Sequence, residues 1–287
     1  MAGRVRGGGA GLRADALHRV NCAVDAKAGP QVAIVTGAAR RIGAAIAQRL
    51  AAERFAVVLH TSLSSWHEGD AEAERIRESG GEAIVVACDL TEADAASVLF
   101  AEAEKVLGTI TLLVNNASLF EPDRAENFSV ELFASHMDVN VLAPLLLAQE
   151  MQRRLPEDRH GSIVNIIDQR VLRPNPVHFS YSISKSALWS ATIAMAQAFA
   201  PRVRVNAVAP GPVFPNVYEG PQTFKAEAAA LPLKRAASVE EVCDAVVYLA
   251  NAQSVTGQLI AVDGGQHIAW ETPDVLALSR RSAGDGS

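Results

Sequence analysis

Tyr181 and Lys185 stand four residues apart in the segment Y-S-I-S-K, and Asp168 stands thirteen residues before the tyrosine. A lysine one turn after a tyrosine shares its helix face. Its ammonium favours the phenolate and draws the phenol pKa down from about 10 toward working pH, making the tyrosine a usable general acid. An ionised carboxylate beside the same phenol acts in the opposite sense, and the two groups then titrate as a pair. The trio suits protonation of a substrate atom.

Elements that could position these groups run through residues 31–270. Short β-branched runs predict strands at Val32–Thr36, Ala56–His60, Ala83–Cys88, Leu112–Asn115, Ser162–Ile167, Val203–Val208 and Leu259–Val262. Most are apolar throughout, as parallel strands covered on both faces must be. Helices are expected at Ile42–Glu53, Ala71–Ser79, Glu92–Val106, Glu131–Arg154, Ser180–Ala200 and Val239–Asn251. The alternation predicts one α/β domain, a Rossmann-like, doubly wound, seven-stranded parallel sheet with helices on both faces. Pro210–Pro232, with five prolines, is expected to form a mobile loop and short helices over a substrate site. Residues 1–30 read as a disordered tail or an over-extended start, and residues 271–287 as a polar tail.

Composition narrows the possible partners. A net charge of −6 without a block of like charges argues against nucleic acid or anionic membrane. Three scattered cysteines and seven scattered histidines predict neither a disulfide framework nor a metal site, and fit a cytoplasmic protein. No apolar run is expected to reach the roughly 18 residues of a membrane span.

T-G-A-A-R-R-I-G (Thr36, Gly37, then Arg40, Arg41, Ile42 and Gly43) joins the first strand to the first helix. A tight glycine turn there lets backbone N–H groups approach a pyrophosphate at the helix N-terminus. The second strand ends in H-T-S-L-S-S, with no acidic residue to take a ribose 2′-hydroxyl. His60, Thr61, Ser62 and Ser64 line that end; the threonine and serine hydroxyls can donate to a 2′-phosphate, with Arg40 or Arg41 supplying positive charge. NADPH is therefore expected over NADH.

These segments together resemble the short-chain dehydrogenase/reductase family. The resemblance covers about residues 31–268. It extends to Asn115-Asn116-Ala117, to Asn140 in N-V-L-A-P, to V-N-A-V-A-P-G-P (Val205 to Pro212) and to V-D-G-G (Val262 to Gly265). It implies that Asp89 binds the adenine amino group and that Asn116, Ala117 and Ser118 border the adenosine. Lys185 would touch the nicotinamide ribose with Tyr181, and Pro210, Gly211 and Val213 would lie along the nicotinamide. Asn140 would hold a water behind Lys185. The family's usual assembly is a tetramer, here packing Glu131–Arg154 and Ser180–Ala200.

Four positions resemble the pteridine-reductase branch in particular. Asp168 stands where the family usually has serine, Arg41 replaces the middle glycine of the turn, Ser118 follows N-N-A, and Phe120 completes N-A-S-x-F. The resemblance implies that Phe120 covers one face of a pterin or folate-like ring. Arg41, Ser118, Asp168, Tyr181 and Pro212 would border the rest. Simpler structural roles stand beside these: Arg41 capping its turn, Asp89 capping a helix, Phe120 anchoring its loop. Two other functions stay open, namely reduction of a ketone such as a 3-oxoacyl thioester, and an idle cofactor-sensing protein. If the cofactor reading holds, measured dissociation constants will favour NADPH over NADH, and Arg41→Ala will weaken NADPH the more, because a charge-assisted bond to phosphate is lost.

Overall fold

The computed structural model describes residues 31–215 and 220–270. The two expected tails, at 1–30 and 271–287, and residues 216–219 of the proline-rich stretch lie outside the described residues. Strands β1 (Val32–Val35), β2 (Ala56–Thr61), β3 (Ala83–Ala87), β4 (Ile110–Asn115), β5 (Gly161–Ile166), β6 (Val203–Pro210) and β7 (Leu259–Val262) form one sheet in the order β3-β2-β1-β4-β5-β6-β7. Every pairing is parallel.

Period-two alternation divides the apolar strands between two cores. Ala33 and Val35 of β1 face one core with Val57 and Leu59 of β2. Helices α1 (Arg41–Ala52), α2 (Trp66–Glu78) and α8 (Val239–Asn251) close it through Ile46, Leu50, Ile76, Val242, Val246 and Leu249. Val32 and Ile34 face the other core, which α3 (Ala95–Leu107), α5 (Ala143–Arg154) and α6 (Phe179–Phe199) close through Leu99, Phe100, Leu147, Met151 and Met195. Sequential strands lie on opposite sides of β1 and β4, so the chain reverses there. The crevice at the carboxyl ends of those two strands is where such sheets bind ligands.

Three helices differ from expectation for local reasons. α2 starts five residues before the expected Ala71, because Gly69 lies so close to β2 that a Cβ there would sit 2.4 Å from the Thr61 methyl. The helix docks through that glycine as well as through Ala73 and Ile76. α3 starts three residues late, since the Asp89 carboxylate accepts from the Thr91 N–H at 3.0 Å and holds residues 89–92 in a turn. The expected helix Glu131–Arg154 is α4 (Val130–Met137), a π-helical turn at Asp138–Leu142, and α5. Pro144 has no N–H for the Asn140 carbonyl and its ring crowds that position, so the backbone widens by one residue.

The run Val130–Arg154 corrects one expectation: over an 18-residue window its mean hydropathy is 1.3, enough for a membrane span by length and composition alone. Its inner face, however, is core, with Leu147, Ala148 and Met151 packed against Leu113 and Ile163. The proline-rich stretch contains an eleven-residue helix, α7 (Gly220–Ala230).

The turn after β1 tolerates no added atom. A Cβ on Gly43 would lie 2.2 Å from the Gly37 carbonyl oxygen and 2.5 Å from Asn116 Nδ2. Gly80 has φ +84° but nothing within 4 Å of a built Cβ. Thermal melts should therefore rank Gly43→Ala well below Gly80→Ala. The former carries overpacking of about 1–3 kcal/mol or more, the latter only left-handed backbone strain of about 1–2 kcal/mol.

Candidate active site

The crevice is built by hydrogen bonds between the ends of β1 and β4. Thr36 Oγ1 accepts from the backbone N–H groups of Asn116 and Ala117, both at 2.9 Å. Asn116 Nδ2 donates back to the carbonyls of Thr36 at 2.9 Å and Gly37 at 3.2 Å. Gly37, with φ +63°, would place a Cβ 2.9 Å from Ala117 Cα, so the two loops touch through their backbones. Arg41 also has a left-handed backbone, φ 53°, which for a side-chain-bearing residue is strain of the kind found at functional sites. Its exposed guanidinium lies 5.2 Å from the ring of Phe214. Ile42 packs on the core beside it, and Arg40 is exposed.

His60 is a buried tie rather than part of an open surface. Its Nδ1 accepts from the Gly37 N–H at 3.3 Å, so Nε2 carries the proton and donates to the Cys88 carbonyl at 3.2 Å. Burial pushes its pKa down to about 4, against the Cys88 hydrogen bond and the nearby Asp89, which favour the charged form. Thr61 is likewise buried. Ser62, exposed just beyond it, pairs with Ser64 at 3.1 Å and Ser65 at 3.2 Å. Asp89 is exposed; its bonds to the Thr91 backbone and hydroxyl hold its pKa below the usual carboxylate value. Across the crevice, Pro210 ends β6, Gly211 donates to the Val262 carbonyl at 2.9 Å, and Val213 packs on the core, with Pro212 between them.

Asn140 sits in the π-turn, fully buried, and all of its amide is used. Its Oδ1 accepts from the Leu119 N–H at 2.8 Å and from the Ser118 hydroxyl at 3.1 Å. Its Nδ2 donates to the Leu119 carbonyl at 2.9 Å and to Ser184 Oγ at 3.0 Å. The side chain thus clamps the loop after β4 to α6. That loop carries Phe120, whose ring stacks on His178 (centroids 4.1 Å) and meets Tyr181 edge-on (4.7 Å).

Asp168, Tyr181 and Lys185 converge as expected. Tyr181 donates its hydroxyl to Asp168 Oδ2 at 3.1 Å. Lys185 Nζ donates to the Ile166 carbonyl at 2.9 Å and lies 5.7 Å from the Tyr181 ring centroid. Burial lowers the Lys185 pKa to about 8, opposed by the Asp168 charge. The Tyr181 pKa, expected to fall under the influence of Lys185, is instead raised well above its ordinary value by burial and by Asp168. Burial is the larger cause; geometry adds to it, because the phenol oxygen faces the carboxylate while the ammonium turns to a backbone carbonyl.

Several partners gave no sequence signal. Arg170 lies two residues beyond Asp168, its backbone N–H 2.8 Å from Oδ1 and its Nη1 3.4 Å from Oδ2. His178 precedes α6 with φ 54°. Asp123 caps the same helix by accepting from the Ser180 N–H at 3.0 Å and from the Ser180 hydroxyl. His136 accepts from the Glu121 N–H at 3.2 Å, 6.3 Å from the Tyr181 ring centroid. Asn165 links Asn115 and Thr192 through two 2.8 Å bonds beneath the site. None belongs to a recognisable spacing; each matters only because folding brings it there.

Known proteins give this arrangement its context. The profile of a family described as enoyl-(acyl carrier protein) reductase matches residues 37–267. The crystal structure of FolM alternative dihydrofolate reductase 1 from Brucella canis, complexed with NADP, superposes with a TM-score of 0.82 at 49% identity, covering 85% of this chain and 97% of that one. Among curated sequences, an uncharacterized oxidoreductase of Methylorubrum extorquens is 38% identical over 82% of this chain and 97% of its own length. A 3-oxoacyl-[acyl-carrier-protein] reductase of Synechocystis is 34% identical over 82% and 96% respectively.

His60 makes the crevice acid-sensitive. Between pH 6.5 and about 4 the unfolded chain binds a proton at His60 that the folded chain does not, so stability falls as pH drops through that window. The loss contributed by this one residue is about 3 kcal/mol. Urea midpoints across this range should show that slope, and His60→Gln, which can accept and donate without titrating, should flatten it.

Proposed function

The chain belongs to the short-chain dehydrogenase/reductase family, and within it we propose that it is an NADPH-dependent reductase of pteridines, acting on dihydropterin- or dihydrofolate-type rings. The observation that carries this reading is the 3.1 Å hydrogen bond from the Tyr181 hydroxyl to Asp168, made beside the ring of Phe120. A serine at 168 would offer a ketone oxygen a hydroxyl donor. A carboxylate instead offers an acceptor for ring N–H groups and keeps the proton on Tyr181. Both C=N and C=O reduction take a proton, but only a ring C=N substrate brings neighbouring N–H groups for the carboxylate to accept, and that favours the ring. The 49% identity to an alternative dihydrofolate reductase supports the same choice.

The crevice suits the cofactor. Backbone contact at Gly37 and Gly43, the exposed Arg40 and Arg41, and the serines at 62 and 64 form a cationic, hydroxyl-rich rim with no carboxylate after β2. Thr36, Asn116, Ala117 and Ser118 shape the floor, Asp89 takes the adenine side, and Pro210, Gly211 and Val213 take the nicotinamide side. When bound, NADPH supplies the hydride that the ring carbon gains. Tyr181 holds the proton that the ring nitrogen takes, Asp168 orients that hydroxyl, and Lys185 brings positive charge beneath it. Phe120 packs against one face of the ring, with Arg41, Ser118 and Pro212 at its edges. We take the assembly to be a homotetramer, for which exposed Leu142, Ile183 and Ile193 on the helices facing outward supply apolar surface.

NADPH oxidation measured with a dihydropterin, dihydrofolate and a 3-oxoacyl thioester tests the reading. The parent should reduce the first two far better than the third. Tyr181→Phe should lose about 10²-fold or more in turnover while still binding NADPH. Phe120→Ala should mainly raise KM, about tenfold for a loss of roughly 1.4 kcal/mol of stacking. Asp168→Ser should lose pterin turnover; pterin reduction at the parent rate in that variant would leave an oxidoreductase of another substrate, with the thioester as the next candidate.

A further inference from the structure

Arg170 closes the chemical centre from the side that no motif covers. It sits in the short 3₁₀ turn Gln169–Val171 directly after β5, where Asp168 is the N-cap. Both oxygens of the carboxylate meet it: Oδ1 accepts its backbone N–H at 2.8 Å, and Oδ2 lies 3.4 Å from Nη1. Oδ2 is also the oxygen that accepts the Tyr181 hydroxyl. The guanidinium carbon lies 5.7 Å from the Phe120 ring centroid and 6.0 Å from that of Tyr181, so two aromatic walls limit where the side chain can go. Both charged side chains are largely withdrawn from water, 18% exposed for Arg170 and 17% for Asp168.

A carboxylate so enclosed needs a counter-charge, or it turns toward water. Lys185 does not provide one by contact, because its ammonium hydrogen-bonds to Ile166. The planar guanidinium does, and its anchoring within the same turn fixes the direction in which the second carboxylate oxygen points.

We propose that Arg170 is a positioning residue: it holds Asp168 as a charged acceptor aimed at the Tyr181 hydroxyl, and acts on proton delivery only through that carboxylate. The proposal rests on the reading of Tyr181 as the proton donor. Its consequence is an energetic coupling. Removing Arg170 should cost activity when Asp168 is present and nothing further once the carboxylate is gone.

The experiment is a double-mutant cycle on the full chain, with NADPH and a dihydropterin. Arg170→Met should lower kcat about tenfold and leave KM within about twofold, because the interaction serves the chemical step rather than ground-state binding. Arg170→Lys, which returns the charge, should recover most of the loss. In an Asp168→Ser background, Arg170→Met should change kcat by less than about twofold. NADPH affinity should stay at the parent value throughout, which reports an intact fold. An equal loss in both backgrounds would overturn the proposal, as would a change confined to KM, which would make Arg170 a substrate ligand. Should the parent reduce only the thioester, the pteridine reading falls while the same cycle on the thioester still decides the role of Arg170. A crystal structure of Arg170→Met gives a test free of any substrate. Asp168 should there turn away from Tyr181, and an unmoved carboxylate still accepting from the phenol would refute the inference.

Discussion

A single buried amide determines whether this protein has a site at all. Asn140 lies in the core with no access to water, so each of its hydrogen bonds must be made within the protein. They can all be made only if the loop at Ser118–Leu119, the π-turn and α6 stand in one relative placement. That placement sets Phe120 against Tyr181 and turns the first half of α6 toward the end of β5. The family resemblance implies that Asn140 holds a water behind Lys185; in the structure its side chain holds protein groups, and it does so at both ends. Ser118 also finds its reason here, since its hydroxyl completes the bonding of Asn140 Oδ1 in a way glycine could not.

The chemical centre is a balance among four charged or ionisable groups rather than a tyrosine tuned by one lysine. Burial and Asp168 hold the proton on Tyr181, while Arg170 acts in the opposite direction. Burial, against the opposing charge of Asp168, brings the Lys185 pKa down to about 8. A phenol in such surroundings is a firm proton holder. Under the proposed function it would serve an acceptor that becomes basic during reaction, as a ring nitrogen receiving electrons does.

Relatives of similar overall identity carry names that span sugars, steroids and acyl thioesters, among them a glucose 1-dehydrogenase of Gluconobacter oxydans. The fold therefore supplies the hydride machinery and leaves the substrate to a few side chains. Under the proposed function those side chains are Asp168, Phe120 and Arg41. All three lie at the carboxyl ends of the strands, and Arg41 holds a strained backbone that the more usual glycine would adopt freely. Their agreement, rather than any one of them, separates the pteridine reading from the ketone reading.

The doubly wound parallel sheet, the two-faced core and the shared helix face of Tyr181 and Lys185 were all legible in the sequence. They rest on local periodicities: apolar strands alternate every two residues, and helix faces repeat at four. The cofactor turn was legible for the same reason, because a glycine pattern within eight residues reports a backbone shape. What the tertiary structure alone decided lies in contacts that no local periodicity announces, some between near neighbours and some across long stretches of chain. The π-turn arises where Pro144 meets Asn140, and the early start of α2 where Gly69 meets Thr61. The left-handed His178 stacks on a ring 58 residues before it, by the difference of their positions. The direction of the Tyr181 pKa belongs to this second group. The sequence placed an ammonium and a carboxylate near one phenol; burial of that phenol, first, and its contact with Asp168, second, raise its pKa. Removing the phenol from water disfavours its charged form, and how completely a side chain is buried is decided by the packing of distant segments.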